Sequence, residues 1–222
     1  MSVAATTIDN PYWSAVEPFV AQSWLRPWDP NPCVQQYPFL DPDLPSEKWR
    51  ALWSIEHARL PKRQELVDRY AWAIPDPQAL DALVALDLGP LVEMGAGTGY
   101  WAYCLSQLTV DIVAYDKAPR GESNGWHPSG AQHFAVQWAR TEAVRMHPDR
   151  TLFVCWPPLA ASMAFDSLCA YEGATAVTIV DDFSCANEDF FDKLHREWKR
   201  SADIPIVQWE GCHDRIEVWR RR

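Results

Sequence analysis

Leu91-Val92-Glu93-Met94-Gly95-Ala96-Gly97-Thr98-Gly99 runs from a short apolar stretch holding one acid straight into three glycines at alternate positions. Trp101, Cys104, Leu105 and Leu108 then fall at helical spacing. The pattern predicts a strand, a tight turn and the start of a helix. Glycines at such a turn supply positive φ and let a ligand approach the backbone closely. The helix that follows points its free N–H groups at whatever binds there. A second strand, Asp111 to Tyr115, ends in Asp116, which is placed to bind a ribose diol.

The glycine spacing separates two cofactors. A dinucleotide fold wants G-x-G-x-x-G, whose last glycine would fall at position 100, where this chain has Tyr100. What stands here is E-x-G-x-G-x-G, with Glu93 two residues before Gly95 and an acid 17 residues beyond Gly99. This resembles motif I of the class I S-adenosylmethionine-dependent methyltransferases, whose sulfonium cofactor has no pyrophosphate to cradle. The resemblance implies that Asp116 is that family's acidic residue at the end of its second strand.

Composition sets the frame around that motif. At 222 residues the chain can bury a substantial core, and one domain with an appendage is the expectation. Hydrophobic residues at 48% with 23% charged are ordinary for a soluble globule, but 13 tryptophans and 18 prolines are not. A net charge of −10 disfavours a phosphate-backbone partner, so a nucleic-acid substrate is not expected. The cysteines Cys33, Cys104, Cys155, Cys169, Cys185 and Cys212 form no C-x-x-C pair, and several fall inside predicted strands or helices, where a thiol behaves as a small apolar group. Neither a signal peptide nor an apolar stretch of membrane-spanning length is visible. A reduced, cytoplasmic protein with no membrane partner is the expectation.

Taken in order, residues 1 to about 45 read as an irregular arm rich in proline, tryptophan and tyrosine, either packed on the core or lidding its cleft. Ser46 is positioned to cap a helix to about Leu60, and Pro61 begins another with Leu66, Val67, Tyr70, Ala71 and Ile74 as its apolar stripe. Asp76-Pro77 is a cap and first-turn pair for a third helix through Leu86. After Asp116, residues 117–130 have loop composition. A strand at His133 to Gln137, a helix from Arg140 to His147, a strand from Thr151 to Trp156 and a helix through Tyr171 follow. Then come a strand from Thr175 to Val180, a helix from Asn187 to about Arg200 that carries Trp198 inward, and two strands, Ile204 to Glu210 and Arg215 to Arg220.

Strands alternating with helices imply a parallel sheet covered on both faces, and two strands joined directly imply an antiparallel hairpin at one edge. The expected fold is therefore α/β, a doubly wound, mostly parallel seven-stranded sheet with an antiparallel C-terminal hairpin. Residues 1–75 would be a helical N-terminal arm and cap, and 76–222 the domain that resembles the class I methyltransferases.

Ligands of open α/β sheets sit outside the carboxyl ends of the strands. By the resemblance, Glu93, Gly95, Ala96, Gly97, Gly99, Asp116, Lys117, Gln137, Trp138 and Cys155 would bind S-adenosylmethionine. Asp116 would take its ribose, and Gln137 and Trp138 would lie near its adenine. Trp156, Pro157 and Asp181 would face the acceptor. Trp156-Pro157-Pro158-Leu159 sits where amino-methylating families carry D/N-P-P-Y/F, and an indole cannot accept the amine's hydrogen bond. An aromatic there would instead stack on a flat or cationic substrate. No residue is singled out as the catalytic group; His127, His133, His213, Asp181 and Asp182 are the candidate bases. No histidine pair has metal-ligand spacing, so no metal is expected. The reading is a methyltransferase acting on a small molecule or a protein. Its rivals are a nicotinamide oxidoreductase, against which Tyr100 argues, and a non-catalytic scaffold on the same fold.

Overall fold

Leu91–Met94 forms β1, an interior strand of the seven-stranded sheet, buried along its whole length. The computed structural model describes residues 8–20, 62–119, 125–209 and 211–222. β1 pairs in parallel with β2 (Ile112–Asp116) on one side and with β4 (Thr151–Cys155) on the other. β3 (Val136–Trp138) extends the sheet beyond β2, and β5 (Thr175–Val180) beyond β4. The final two strands, β6 (Trp198–Pro205) and β7 (Arg215–Arg221), form the antiparallel pair, with β7 lodged between β5 and β6. The strand order is β3-β2-β1-β4-β5-β7-β6.

Period-two alternation sends successive side chains of each central strand to opposite faces. Phe153 joins a core with Trp101, Leu105, Leu80 and Ile74, whereas its neighbours Leu152 and Val154 join one with Leu168, Phe190 and Leu194. Helices α3 (Pro77–Ala85) and α4 (Tyr100–Gln107) contribute to the first core, and α5 (Met163–Ala170) and α6 (Glu188–Glu197) to the second. With both faces covered, β4 and β5 read as near-continuous apolar runs.

The cap of α3 forms as its sequence dictates. Asp76 Oδ1 accepts from Ala79 N at 3.0 Å, and its Oδ2 accepts from Val207 N at 2.9 Å, tying the helix to the segment after β6. Helices α1 (Pro11–Val20) and α2 (Arg63–Arg69) precede it. Tyr12 and Val16 of α1 are fully buried in the first core, beside Tyr70, Ala73 and Ile74.

Six expectations need correction. Part of the expected irregular arm is the helix α1, which holds Pro18 inside it. The helix beginning near Pro61 stops at Arg69 rather than running to Ile74, and Tyr70 leaves helical geometry with its carbonyl accepting from Thr98 Oγ1. The third strand is shorter and later than His133 to Gln137, and the stretch from Arg140 to His147 is a 3-10 helix over Thr141–Met146. Trp198 does not end a helix but opens β6. The strand expected from Ile204 accordingly ends at Pro205, because the chain pairs with β7 from Trp198 onward. The helix expected from Ser46 to Leu60 lies outside the described residues.

Candidate functional site

At the carboxyl end of β1 the chain turns through Gly95, Gly97 and Gly99, at φ of 78°, 53° and 73°. The turn is bound to the end of β2. Gly95 N and Ala96 N both donate to Tyr115 O, at 2.9 and 3.0 Å. Gly97 N donates to Asp116 Oδ2 at 2.9 Å, and Ala118 N to Oδ1 at 2.8 Å. Gly99 N returns to Ala96 O at 2.8 Å and leads into α4. Glycines 95, 97, 99 and Asp116 are therefore one hydrogen-bonded unit, and Lys117 beside it is exposed.

The protein's own side chains fill the open sides of these glycines. A Cβ on Gly95 would stand 2.5 Å from Met163 Cε, and one on Gly97 would stand 2.6 Å from His127 Nε2. A Cβ on Gly99 would meet Phe134 Cβ and Val136 Cγ2, each at 2.8 Å. Sequence reasoning assigned the glycines to a ligand; packing against Met163 and His127 requires them as well.

Glu93 lies beneath the turn, 2% exposed, and its Oε2 has no hydrogen-bond partner. Burial, and then the charge of Asp116, push its carboxyl up to about 8. On the other side of Asp116, Trp138 is its register partner on β3. Trp138 is 61% exposed and Gln137 is exposed, so both form a rim beside the acid rather than part of a core.

Beyond β4 the chain presents a second cluster. Burial holds the Cys155 thiol well above its ordinary range. Trp156, at φ 47°, stacks on Trp72 with centroids 5.5 Å apart and an interplanar angle of 21°. The Arg63 guanidinium carbon lies 5.7 Å from both ring centroids, and Arg63 Nε is buried without a partner. The Trp156 indole donates to Asp214 Oδ2 at 2.9 Å. Pro157 is buried, and its carbonyl accepts from Ala186 N at 3.0 Å. Asp181 is 1% exposed and spends its carboxylate on backbone amides, Phe183 N at 2.9 Å and His213 N at 2.6 Å.

Of the candidate bases, His127 and His133 each bond a carbonyl of α2, Val67 O at 3.0 Å and Arg69 O at 2.8 Å. His213 and Asp182 are exposed, the latter 3.4 Å from Arg215. Sequence reasoning missed Asp214, Trp72 and Arg63. One signal was present for Asp214: an antiparallel strand begins where its neighbour ends, so the residue before β7 lies beside the carboxyl end of β5. Nothing comparable marked Trp72 or Arg63. Among the described residues no group of acids, histidines or cysteines could hold a metal, and no helix is long and apolar enough to cross a membrane.

No protein-family model and no curated protein matches the chain. Among solved structures, it is similar to a magnesium protoporphyrin IX methyltransferase from Synechocystis with bound SAH, at 10% identity over 65% of this chain and 83% of that one, with a TM-score of 0.44. A TehB-like SAM-dependent methyltransferase from Corynebacterium glutamicum is 16% identical over 80% of this chain and 96% of that one, with a TM-score of 0.40. A ribosomal protein L11 methylase from Lactobacillus delbrueckii is 15% identical over 68% and 81%, with a TM-score of 0.39. These likenesses are loose, and strand order decides the fold. Five parallel strands with β1 at the centre, closed by an antiparallel β7 between β5 and β6, are the layout of the class I methyltransferase sheet, and that is the fold of this chain.

Proposed function

We propose that this chain is an S-adenosylmethionine-dependent methyltransferase that passes a methyl group to a small molecule or a protein. The observation that carries the reading is the buried acid pair at the glycine turn. Glu93 has an unpartnered oxygen, and the charge that reaches it is the like charge of Asp116. Removing a carboxylate from water without a counter-charge is costly. A cofactor bearing a sulfonium and an ammonium supplies that counter-charge and favours release of the Glu93 proton, whereas a pyrophosphate supplies none. The amides of Gly95, Ala96, Gly97 and Gly99 are also committed to protein oxygens, so they are not free to cradle phosphates.

The donor set fits the cofactor in chemistry. Asp116 stands at the end of β2 for the ribose; each of its oxygens accepts one backbone amide and keeps further acceptor capacity. Glu93 lies under the methionine side of the turn, and Trp138 and Gln137 offer the rim for the adenine. The cofactor, when bound, supplies an already activated methyl group. These residues then have to bind, align and exclude water. Trp156, Pro157 and Asp181 mark the acceptor side at the ends of β4 and β5.

Calorimetric titration of the wild type and Asp116→Ala with S-adenosylmethionine, S-adenosylhomocysteine and NADH tests the reading. Micromolar binding of the first two is expected, weakened about tenfold to 150-fold in the variant, as for a hydrogen bond to a charged group. Binding of NADH alone would sink it in favour of an oxidoreductase. Cofactor binding without any methyl transfer to components of a cell extract would leave a scaffold.

A further inference from the structure

The last carbonyls of α2 are a helix end in need of donors. Side chains from the segment after β2 and from the glycine turn supply them: Val67 O meets His127 Nδ1, Asp68 O meets Ser129 Oγ, Arg69 O meets His133 Nε2 and Tyr70 O meets Thr98 Oγ1. A carbonyl oxygen only accepts, so the proton of His127 sits on Nδ1. Burial lowers the imidazole's basicity and outweighs the opposing pull of the Asp116 and Asp68 carboxylates, the charged groups that reach it. The ring is therefore neutral, and Nε2 carries a bare lone pair.

Nε2 is the atom of the ring nearest the glycine turn. Nε2 lies 2.6 Å from the position a Gly97 Cβ would take, and the Gly97 amide is bonded to Asp116 Oδ2. The turn is thus faced by two groups that accept hydrogen bonds, the carboxyl of Asp116 and the imidazole nitrogen of His127. A ligand seated there has to bring donors.

We propose that His127 is a cofactor-binding residue, its Nε2 accepting a hydrogen bond from a ribose hydroxyl of the nucleoside that Asp116 also holds. The inference rests on the methyltransferase reading and adds to it a residue that belongs to no part of the glycine motif. It also accounts for the fixed tautomer: the contact with Val67 leaves the accepting nitrogen on the side of the site. His127 has two separable jobs, holding α2 through Nδ1 and holding the cofactor through Nε2.

Two substitutions separate the jobs. Asparagine places an amide nitrogen near the position of Nδ1, so His127→Asn keeps the bond to Val67 and loses the acceptor. Glutamine reaches the position of Nε2, so His127→Gln keeps the acceptor and loses the bond to α2. Titration with S-adenosylhomocysteine near neutral pH, beside thermal unfolding of each variant, reads both. His127→Asn is expected to bind about tenfold more weakly with an unchanged unfolding midpoint, and His127→Gln to bind within about threefold of wild type with a lowered midpoint. Wild-type affinity in His127→Asn would overturn the proposal. So would affinity lost by both variants in step with their unfolding midpoints, which would leave His127 only a brace for α2. A wild type that binds no S-adenosylhomocysteine would instead overturn the methyltransferase reading, and the proposal with it.

Discussion

The Trp156 indole nitrogen donates to Asp214 Oδ2 at 2.9 Å, joining the residue after β4 to the residue before β7. Both come from the carboxyl edge of the sheet, and the partner oxygen Oδ1 is buried with no bond of its own. Burial pushes the Asp214 carboxyl up to about 7, against the opposing effect of the indole bond. Trp156→Phe removes that side-chain donor and leaves Oδ2 as well as Oδ1 without a side-chain partner. The expected cost is about 1–3 kcal/mol of unfolding free energy at pH 8. At pH 5.5 the cost is smaller, because a protonated Asp214 tolerates the loss. Urea unfolding at the two pH values measures it, and an equal cost at both would show that Asp214 is not the group responsible.

Glu93 gives the native state its own pH dependence. Its carboxyl is raised from an ordinary 4.5 to about 8, so between those values the folded chain holds a proton that the unfolded chain has released. Stability is then fully present below about pH 4.5 and falls as pH rises through 8, by at most ~1.4 kcal/mol per pH unit for one group. Glu93→Gln stays neutral throughout. It is expected to flatten part of the slope and to be the more stable protein at pH 9 by roughly 2 kcal/mol. Asp214, shifted in the same direction, keeps the remainder of the slope. A steeper slope in the variant would contradict this account. The same group predicts that S-adenosylmethionine binding releases protons near pH 7, which calorimetry in buffers of different ionisation enthalpy detects.

Local chemistry made much of this legible in the sequence. Asp76-Pro77 announced a cap because the aspartate accepts from an amide three residues on, whatever surrounds it. The break from Met94 into alternate glycines announced the turn, since few other residues tolerate φ values of 53° to 78°. The errors fall where one residue satisfies two patterns. Trp198 continues the helical stripe of Phe190, Phe191 and Leu194, yet it is equally the inward residue opening β6, and only the pairing of Lys199 with Arg220 decides between them. The end of α2 at Arg69 was illegible for a related reason: donors from residues 98 to 133 stop it, far away in the chain. Asp214 carries no motif, and it joins the site through strand order alone.

Asn10 tests how firmly the N-terminal helix belongs to the fold. Its Nδ2 donates to Pro75 O at 2.7 Å, while its Oδ1 accepts from Trp13 N and from the Tyr100 hydroxyl, both at 2.9 Å. One buried side chain thereby caps α1 and links it to the segment before α3 and to the first residue of α4. Asn10→Ala removes the cap and leaves two buried groups, the Pro75 carbonyl and the Tyr100 hydroxyl, short of a partner. The expected loss is about 3 kcal/mol. Chemical unfolding measures it, and a loss under about 0.5 kcal/mol would mean that α1 rests on the core without being needed by it.

Two glycines of nearly matched backbone geometry separate strain from contact. Gly89, at φ 71°, has nothing within 4 Å of where a Cβ would stand, and Gly97, at φ 53°, would drive a Cβ to 2.6 Å from His127 Nε2 and 2.8 Å from its Cδ2. Gly89→Ala carries only the cost of a left-handed alanine, about 1 kcal/mol. Gly97→Ala carries that cost and must also push aside an imidazole held by Val67, so a loss of about 3 kcal/mol is expected. Adding His127→Ala should return much of the excess in Gly97→Ala and none in Gly89→Ala. A double-mutant cycle on unfolding free energies reads that coupling directly. Zero coupling between positions 97 and 127 would mean that the turn yields by moving its own backbone, and the imidazole would lose its standing as the wall of the site.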